Sequence, residues 1–328
     1  MNSIEIHSFA KINLGLLVKA KRPDGFHNIE TIFVPIQLSD RITLKKIDKG
    51  IILKIHCPKK RIKQGLLIDR YETKKSLESL VQVPVKQLIP EGKTNLAYKA
   101  AKLFFTKTKI KKGAEILLEK NIPVGAGLGG GSSNAASVLQ GLNCLYGQPL
   151  NKKELHNLAL KIGMDVPFFL TSKACYATGR GDILKPIKIP KLNIVLYFPG
   201  FPIITKWAYS KLKGQSSKFK AKKTKIKGER ALTNGALSLM ILRKKLVDGD
   251  LSDLPRLIRN SFEDLVFAHY PDLARIKDFF LNHGAYAASL SGSGSAIFGL
   301  VQTKNISTLK TALKRNKIKA VFTESISC

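Results

Sequence analysis

The sequence predicts an α+β fold in two domains, and three observations carry that expectation. Short turns rather than helical crossovers join the strands read over the first 56 residues, which disfavours a doubly wound parallel sheet. Further along, stretches of strand alternation and of helical spacing mix throughout, with no internal repeat. The chain has 328 residues, enough for two domains of ordinary size. We expect them at 1–189 and 190–328, with a basic insertion near 58–92 in the first.

Taken in order, Ile4 and Ile6, then Ile12, Leu14, Leu16 and Val18, read as strands around a bend near Ser8-Phe9-Ala10. Pro23-Asp24-Gly25 is a turn. Strands follow at 29–37 and 41–47, and Asp48-Lys49-Gly50 reads as the hairpin turn into 51–56. Residues 58–92 are basic, proline-punctuated and weakly periodic. Thr94-Asn95 then caps a helix whose apolar positions Leu96, Ala97, Ala100, Ala101, Phe104 and Phe105 recur at helical spacing. A strand at 114–118 leads to Pro123, a glycine-rich turn and a helix from about Ser132 to Leu145. Asn151 and Glu154 have capping-box spacing and open a helix that Gly163 closes. In the second half we expect strands at 192–198, 286–290, 296–301 and 320–323. Helices are expected near 236–247, 251–268, 272–282 and 305–315.

Hydrophobic residues make up 44% and charged residues 24%, the balance of a folded globular chain rather than a disordered one. The apolar run at 192–204 is broken by Asn193, Pro199, Gly200 and Pro202. It falls short of the roughly 20 residues a bilayer span needs. No basic-then-apolar export signal opens the chain. We therefore expect a cytoplasmic protein without a membrane partner. Lys and Arg number 56 against 23 Asp and Glu, a formal net charge of +33. Ten of the basic residues lie between 206 and 230, and the rest are scattered. Aromatic residues do not alternate with that run as a base-stacking surface requires, so no specific nucleic-acid partner is expected. A basic RNA-binding protein is the alternative from another class. Cys57, Cys144, Cys175 and Cys328 form no CxxC pair, and the six histidines complete no zinc pattern. The cysteines read as thiols of a reducing compartment, and no metal-ligating residues are expected.

The strongest chemical signal is the segment from Pro123 to Ala135, with five glycines in the seven positions 125–131. Each glycine costs roughly 0.5–1 kcal/mol of chain entropy relative to alanine, and a plain turn needs only one or two. The run opens straight into a helix, whose first N–H groups are unpaired and carry partial positive charge. That combination suggests a phosphate cradle built by Gly125, Gly127, Leu128, Gly129, Gly130 and Gly131. Ser132 and Ser133 would add hydroxyl donors. Gly125-x-Gly127-x-x-Gly130 also fits the dinucleotide fingerprint, but it lies past residue 120 with no acidic strand end near 148–152. No lysine follows as in a Walker loop, and a helix follows where a protein-kinase loop leads into a strand.

Asp165 stands between a helix-ending glycine and the apolar Val166-Pro167-Phe168-Phe169-Leu170. It is either a functional carboxylate or an N-cap for the next turn. Ser291-Gly292-Ser293-Gly294-Ser295 is either a plain hairpin turn or a second backbone cradle. Lys11 and Asn13, two apart on a strand, share the face opposite Ile12 and Leu14.

In this order the segments resemble the GHMP kinase superfamily. Ala10-Lys11-Ile12-Asn13-Leu14 and the stretch from Arg22 to Phe33 look like the N-terminal signature of one of its branches. The segment 123–136 resembles the superfamily's ATP loop, and Asp165 to Phe169, Asn260-Ser261-Phe262-Glu263 and Ser289 to Phe298 match further family segments. The resemblance spans about residues 4–301. It implies a two-domain GHMP kinase fold: an N-terminal ribosomal-protein-like β-α-β domain that binds ATP and catalyses, and a C-terminal ferredoxin-like α/β sandwich domain that binds substrate. The implied reaction transfers the γ-phosphoryl group of ATP, with Mg2+ held mainly through its phosphates, to a small-molecule alcohol. For the branch in question that alcohol is a cytidine-diphosphate-linked polyol, and another GHMP substrate is the alternative. The same resemblance implies Asp165 as general base with Lys11 as its charged neighbour, and Asn95, Pro123 and the loop from Gly125 to Ser133 as ATP-holding residues. It implies Asn13, His27 and Thr205 as substrate contacts, with Phe26 and Tyr209 enclosing the cytosine. It also implies a monomer or weak homodimer. The chain departs from the family pattern in having Phe26 where tyrosine is usual and Asp182 where glutamate follows Gly179-Arg180-Gly181.

Overall fold

The computed structural model describes residues 1–57, 89–90, 92–171, 173–212 and 235–326. Most of the insertion expected near 58–92 and of the lysine run after 212, together with Cys328, lies outside the described residues. The chain gathers into two compact units that interleave along the sequence. One comprises Met1–Lys11, Ile36–Val124 and Leu128–Ser172, the other Ile12–Pro35, Gly125–Gly127 and Lys173–Cys328. Interleaving follows from two long strands, β1 (Ser3–Lys21) and β2 (His27–Ile47), which each contribute residues to both units.

Both strands run through the places where breaks were expected. Ser8 and Asp40 are buried there, yet neither breaks the strand, because each finds hydrogen-bond partners on other elements. In the first unit the C-terminal half of β2 pairs antiparallel with β4 (Gly113–Glu119), from Arg41 opposite Glu119 to Ile47 opposite Gly113. β3 (Ile51–His56) lies parallel on the other edge of β4. The turn at Asp48-Lys49-Gly50 therefore does not make the expected hairpin. Its backbone packs on the start of β4 instead, where a Cβ on Gly113 would lie 2.0 Å from the Gly50 carbonyl oxygen.

Helix α1 (Leu96–Thr108) buries Ala97, Ala100, Ala101 and Phe104, the stripe its spacing predicted. Helix α2 (Gly130–Leu145) starts two residues earlier than expected and is the more deeply buried of the two. It lies close to the strands because Gly141 has no side chain: a Cβ there would meet Ile6 Cδ1 at 2.3 Å and Leu44 Cδ1 at 2.5 Å. Helix α3 (Lys152–Ile162) carries the full capping box, with Asn151 and Glu154 each accepting from the other's backbone N–H. Gly163 follows it with φ 176°, an extended residue rather than a left-handed cap. A short helix, α4 (Val166–Thr171), completes this unit.

In the second unit Thr31 to Phe33 of β2 pair with β5 (Cys175–Thr178), which pairs in turn with β6 (Ile183–Pro186). Beyond them come β7 (Asn193–Tyr197), α5 (Thr205–Lys211), α6 (Gly235–Val247), α7 (Leu254–Leu257), α8 (Glu263–His269) and α9 (Pro271–Asn282). The unit ends with β8 (Ala285–Leu290), β9 (Ile297–Val301), α10 (Ile306–Arg315) and β10 (Ala320–Glu324). The antiparallel sheet runs β10-β7-β9-β8, the order of a β-α-β-β-α-β ferredoxin-like unit. Phe262, Phe280, Leu290, Ile297 and Leu309 belong to its core.

The single helix expected at 251–268 is two, α7 and α8. The chain between them leaves helical geometry to meet β1, with Leu16 N–H donating to Arg259 O and Ser261 N–H to Leu16 O, each at 2.8 Å. Among the described residues no helix is long and apolar enough to cross a membrane.

Candidate active site

In the first unit β1 carries Lys11 to the glycine segment. The side chain is only 4% exposed, and its backbone N–H donates to Leu128 O at 3.0 Å. Gly129 follows with φ +70°, and a Cβ there would lie 2.7 Å from Phe169 Cζ and 3.3 Å from Lys11 Cε. The Lys11 stem, Gly129 and the Phe169 ring are thus packed together where α2 begins. Phe169 belongs to α4, and Asp165 occupies the turn that leads into that helix. Burial pushes the Lys11 ammonium below the usual 10.5, and the negative charge of Asp165 opposes that shift. The structure therefore brings an amine from the first strand within electrostatic reach of a carboxylate from mid-chain, beside the start of α2.

The glycines of the loop answer to the protein itself more than the sequence suggested. A Cβ on Gly130 would stand 3.0 Å from Ile122 Cγ2, one on Gly125 2.4 Å from Pro202 Cβ, and one on Gly127 1.9 Å from the Ser291 carbonyl oxygen. Gly131, exposed like Gly125, differs in its contacts: its nearest neighbour would be Leu96 Cδ1 at an ordinary 3.6 Å. Since Ser133 N–H donates to Gly129 O, the N–H groups of Gly130, Gly131 and Ser132 are the leading donors of α2. This short stretch, with the Ser132 hydroxyl, suits an anion. We expect Gly127→Ala to destabilise the protein by about 3 kcal/mol or more, because it combines a left-handed φ with a clash against backbone. Chemical denaturation checks this, and a loss below 1 kcal/mol would show that the loop yields.

Two of the residues assigned to ATP also make bonds within the protein. Ser133 Oγ is buried and accepts from Ser8 Oγ at 2.7 Å. Asn95 caps α1, its Oδ1 accepting from Ala97 N–H at 2.9 Å and its Nδ2 donating to Pro90 O at 2.8 Å. Pro123, half-buried, enters the loop as expected.

Beneath the loop lies a polar network that the sequence did not reveal. The fully buried Asp40 carboxylate accepts from Asn121 N–H at 2.6 Å, Ile122 N–H at 2.8 Å, Asn134 Nδ2 at 2.8 Å and the Lys120 ammonium. Asn134 also accepts from Lys120 at 3.1 Å and donates to Ser8 Oγ at 2.9 Å. Lys120→Met should destabilise the protein by about 3–5 kcal/mol, since it strands a buried carboxylate without its counter-charge. Denaturant melts test this, and an unchanged midpoint would show Asp40 satisfied by its amides alone.

In the second unit Asn13 is buried, with Nδ2 donating to Thr31 Oγ1 at 2.9 Å. Its Oδ1 would lie 3.4 Å from a Cβ on Gly292, so Asn13 faces the Ser291–Ser295 loop. That loop joins β8 to β9 and also grips the glycine segment. Ser291 Oγ donates to Gly127 O at 3.1 Å and Ala296 N–H to Ala126 O at 3.1 Å. It is braced in turn by Asn260, whose Nδ2 donates to Leu290 O at 2.7 Å and Gly292 O at 2.8 Å. Glu263 accepts from Ser289 Oγ at 2.8 Å and Leu290 N–H at 3.0 Å. Thr205 Oγ1 is hydrogen-bonded to Ser293 Oγ at 3.1 Å. His27 bonds the Lys19 carbonyl through Nδ1 at 2.9 Å and sits 5.5 Å from the Tyr209 ring. Phe26 is 48% exposed. Among the described residues no three His, Cys, Asp or Glu side chains gather as a metal-ligand set.

A buried lysine beside a glycine-opened helix and a ferredoxin-like unit define the class: family models for the N-terminal and C-terminal domains of GHMP kinases match residues 95–173 and 242–319. A curated 4-diphosphocytidyl-2-C-methyl-D-erythritol kinase from Chlorobium phaeobacteroides (strain BS1) is 38% identical over 304 residues, 92% of this chain and 90% of that protein. The chain belongs to the 4-diphosphocytidyl-2-C-methyl-D-erythritol kinase family of GHMP kinases. A crystal structure of 4-(cytidine 5'-diphospho)-2C-methyl-D-erythritol kinase superposes with a TM-score of 0.72 at 29% identity, covering 99% of this chain and 100% of that one. Homoserine kinase from Cytophaga hutchinsonii shares the fold at a TM-score of 0.65 and 18% identity, covering 100% of this chain and 95% of that one.

Proposed function

We propose that the protein transfers the γ-phosphoryl group of ATP to the 2-hydroxyl of 4-diphosphocytidyl-2-C-methyl-D-erythritol, a step of the non-mevalonate route to isoprenoid precursors. One observation carries this reading: the Lys11 side chain packs on Gly129 and Phe169 at the start of α2, under the charge of Asp165. ATP supplies the phosphoryl group, and Mg2+ carried on its phosphates supplies counter-charge. The exposed Gly131 and the leading N–H groups of α2 fit a phosphate.

Asp165 accepts the proton of the substrate hydroxyl. A carboxylate is too weak a base to ionise an alcohol beforehand, so it acts late, as oxygen bonds to phosphorus. Lys11 stabilises charge on the transferred group from a fixed, desolvated position. Phosphoryl transfer has a loose transition state, so holding these groups in place is most of the protein's contribution. Asn95, Pro123 and the loop from Gly125 to Ser133 hold ATP. Asn13, His27 and Thr205 contact the substrate, and Phe26 and Tyr209 receive its cytosine. In this reading residues 1–189 form the ATP-binding domain and 190–328 the substrate domain of a cytoplasmic monomer or weak homodimer, with no specific nucleic-acid or membrane partner.

A coupled ADP-release assay with the cytidyl substrate, mevalonate and homoserine side by side tests the reading. We expect turnover with the first alone. Release with mevalonate only would remove the substrate assignment while leaving the superfamily intact.

A further inference from the structure

We propose that Arg180 is a positioning residue for the nucleobase, holding the Phe26 ring in place from behind. This rests on the reading above, in which Phe26 receives the cytosine. The guanidinium lies over the Phe26 ring, 5.4 Å from its centroid, within cation–π range. Its direction is set by Asp182, whose Oδ2 accepts from Arg180 Nε at 3.2 Å and Nη2 at 2.9 Å, while Oδ1 accepts the Arg180 backbone N–H at 2.8 Å. Gly179, at φ +68°, leaves room for that carboxylate: a Cβ there would lie 2.8 Å from Asp182 Oδ1.

The Phe26 backbone is pinned from the other direction. Phe26 N–H donates to Asp24 Oδ1 at 3.2 Å, its carbonyl accepts from Arg22 N–H at 2.7 Å, and Arg22 is itself bonded to Asp24 and Asn28. The two segments are joined where Ile29 N–H donates to Gly179 O at 2.7 Å.

Phe26 is nevertheless 48% exposed. A half-exposed phenyl ring ordinarily turns among rotamers, and ordering it on binding costs affinity. Here the backbone is held by the 22–28 turn, and a guanidinium bonded to Asp182 lies over the ring. In the reading above, a flat base stacks on the rest of this half-exposed ring. Arg180 therefore contributes to substrate affinity rather than to phosphoryl transfer.

The test is a double-mutant cycle read on steady-state constants. Arg180→Met should raise KM for 4-diphosphocytidyl-2-C-methyl-D-erythritol about two- to fivefold, leaving kcat and KM for ATP unchanged. Asp182→Asn, which frees the guanidinium without touching the ring, should move the same constant in the same direction. In a Phe26→Leu background, Arg180→Met should have no further effect. An unchanged KM in Arg180→Met, or the same rise in both backgrounds, would overturn the proposal. A parent enzyme with no turnover of the cytidyl substrate would overturn it together with the functional reading, and is seen before any variant is made.

Discussion

Lys11→Met is expected to lower kcat by about 10²–10³-fold, the cost of removing one preorganised charge that acts on the transition state, while the variant melts at a higher temperature than the parent. The two halves of this expectation share a cause. The ammonium is buried, and burial is the larger influence on it, lowering its pKa against the opposing pull of Asp165. Folding therefore holds a charge in a place that disfavours charge, and methionine fills the same volume without that penalty.

The sign also follows in pH. Between the lowered folded value and 10.5, the unfolded chain binds more protons at Lys11 than the folded one, so this residue's contribution to stability rises with pH across that window. For the same reason kcat of the parent should begin to fall on the alkaline side earlier than an ordinary lysine would allow. Steady-state rates and thermal melts of both proteins across pH check each point. A variant with parental kcat would free Lys11 of any catalytic role, and a lower melting temperature would show that the attraction of Asp165 outweighs burial.

Asp165→Asn should lower kcat by about 10²–10⁴-fold, the range for loss of a general base, with KM for ATP little changed. Asparagine keeps the shape of the turn before α4 and so leaves Phe169 against Gly129. What it loses is the ability to take a proton and the charge that opposes Lys11 desolvation. The variant is expected to fold as the parent does. Near-normal turnover would exclude Asp165 as base, whatever the fate of Lys11.

What was legible in the sequence was local. The Asn151/Glu154 box, the Asn95 cap and the apolar stripe of α1 depend on residues within one or two turns, and they stand as read. The glycine run was legible as a functional segment, yet the reason for most of its glycines was not. Gly127 is required by the Ser291 carbonyl, 164 residues away along the chain, and Gly129 by Phe169. Long-range partners explain the other misses too. Nothing near Asp48-Lys49-Gly50 shows that β4, more than 60 residues on, will lie between β2 and β3. The break between α7 and α8 is made by β1, whose Leu16 claims the backbone of Arg259 and Ser261.

Asp40 fell between the strands read at 29–37 and 41–47 and gave no sign of its burial. Its partners, Lys120, Asn121, Ile122 and Asn134, could not be assembled without the fold. Lys11 and Asp165 were matched through the family resemblance, and the structure adds what the spacing lacked, the influence of the Asp165 charge on a buried Lys11.

The central claim is that Lys11 and Asp165 work as one unit on a single transferred group. The kcat of the Lys11→Met/Asp165→Asn double variant, compared with both single variants, tests it most directly. Residues that act together lose their effect together, so the double variant should be about as slow as the slower single variant. Losses that multiply, to a rate lower than either single variant by the full factor of the other, would mean that the two groups act independently and that the paired site is not the one that transfers phosphate.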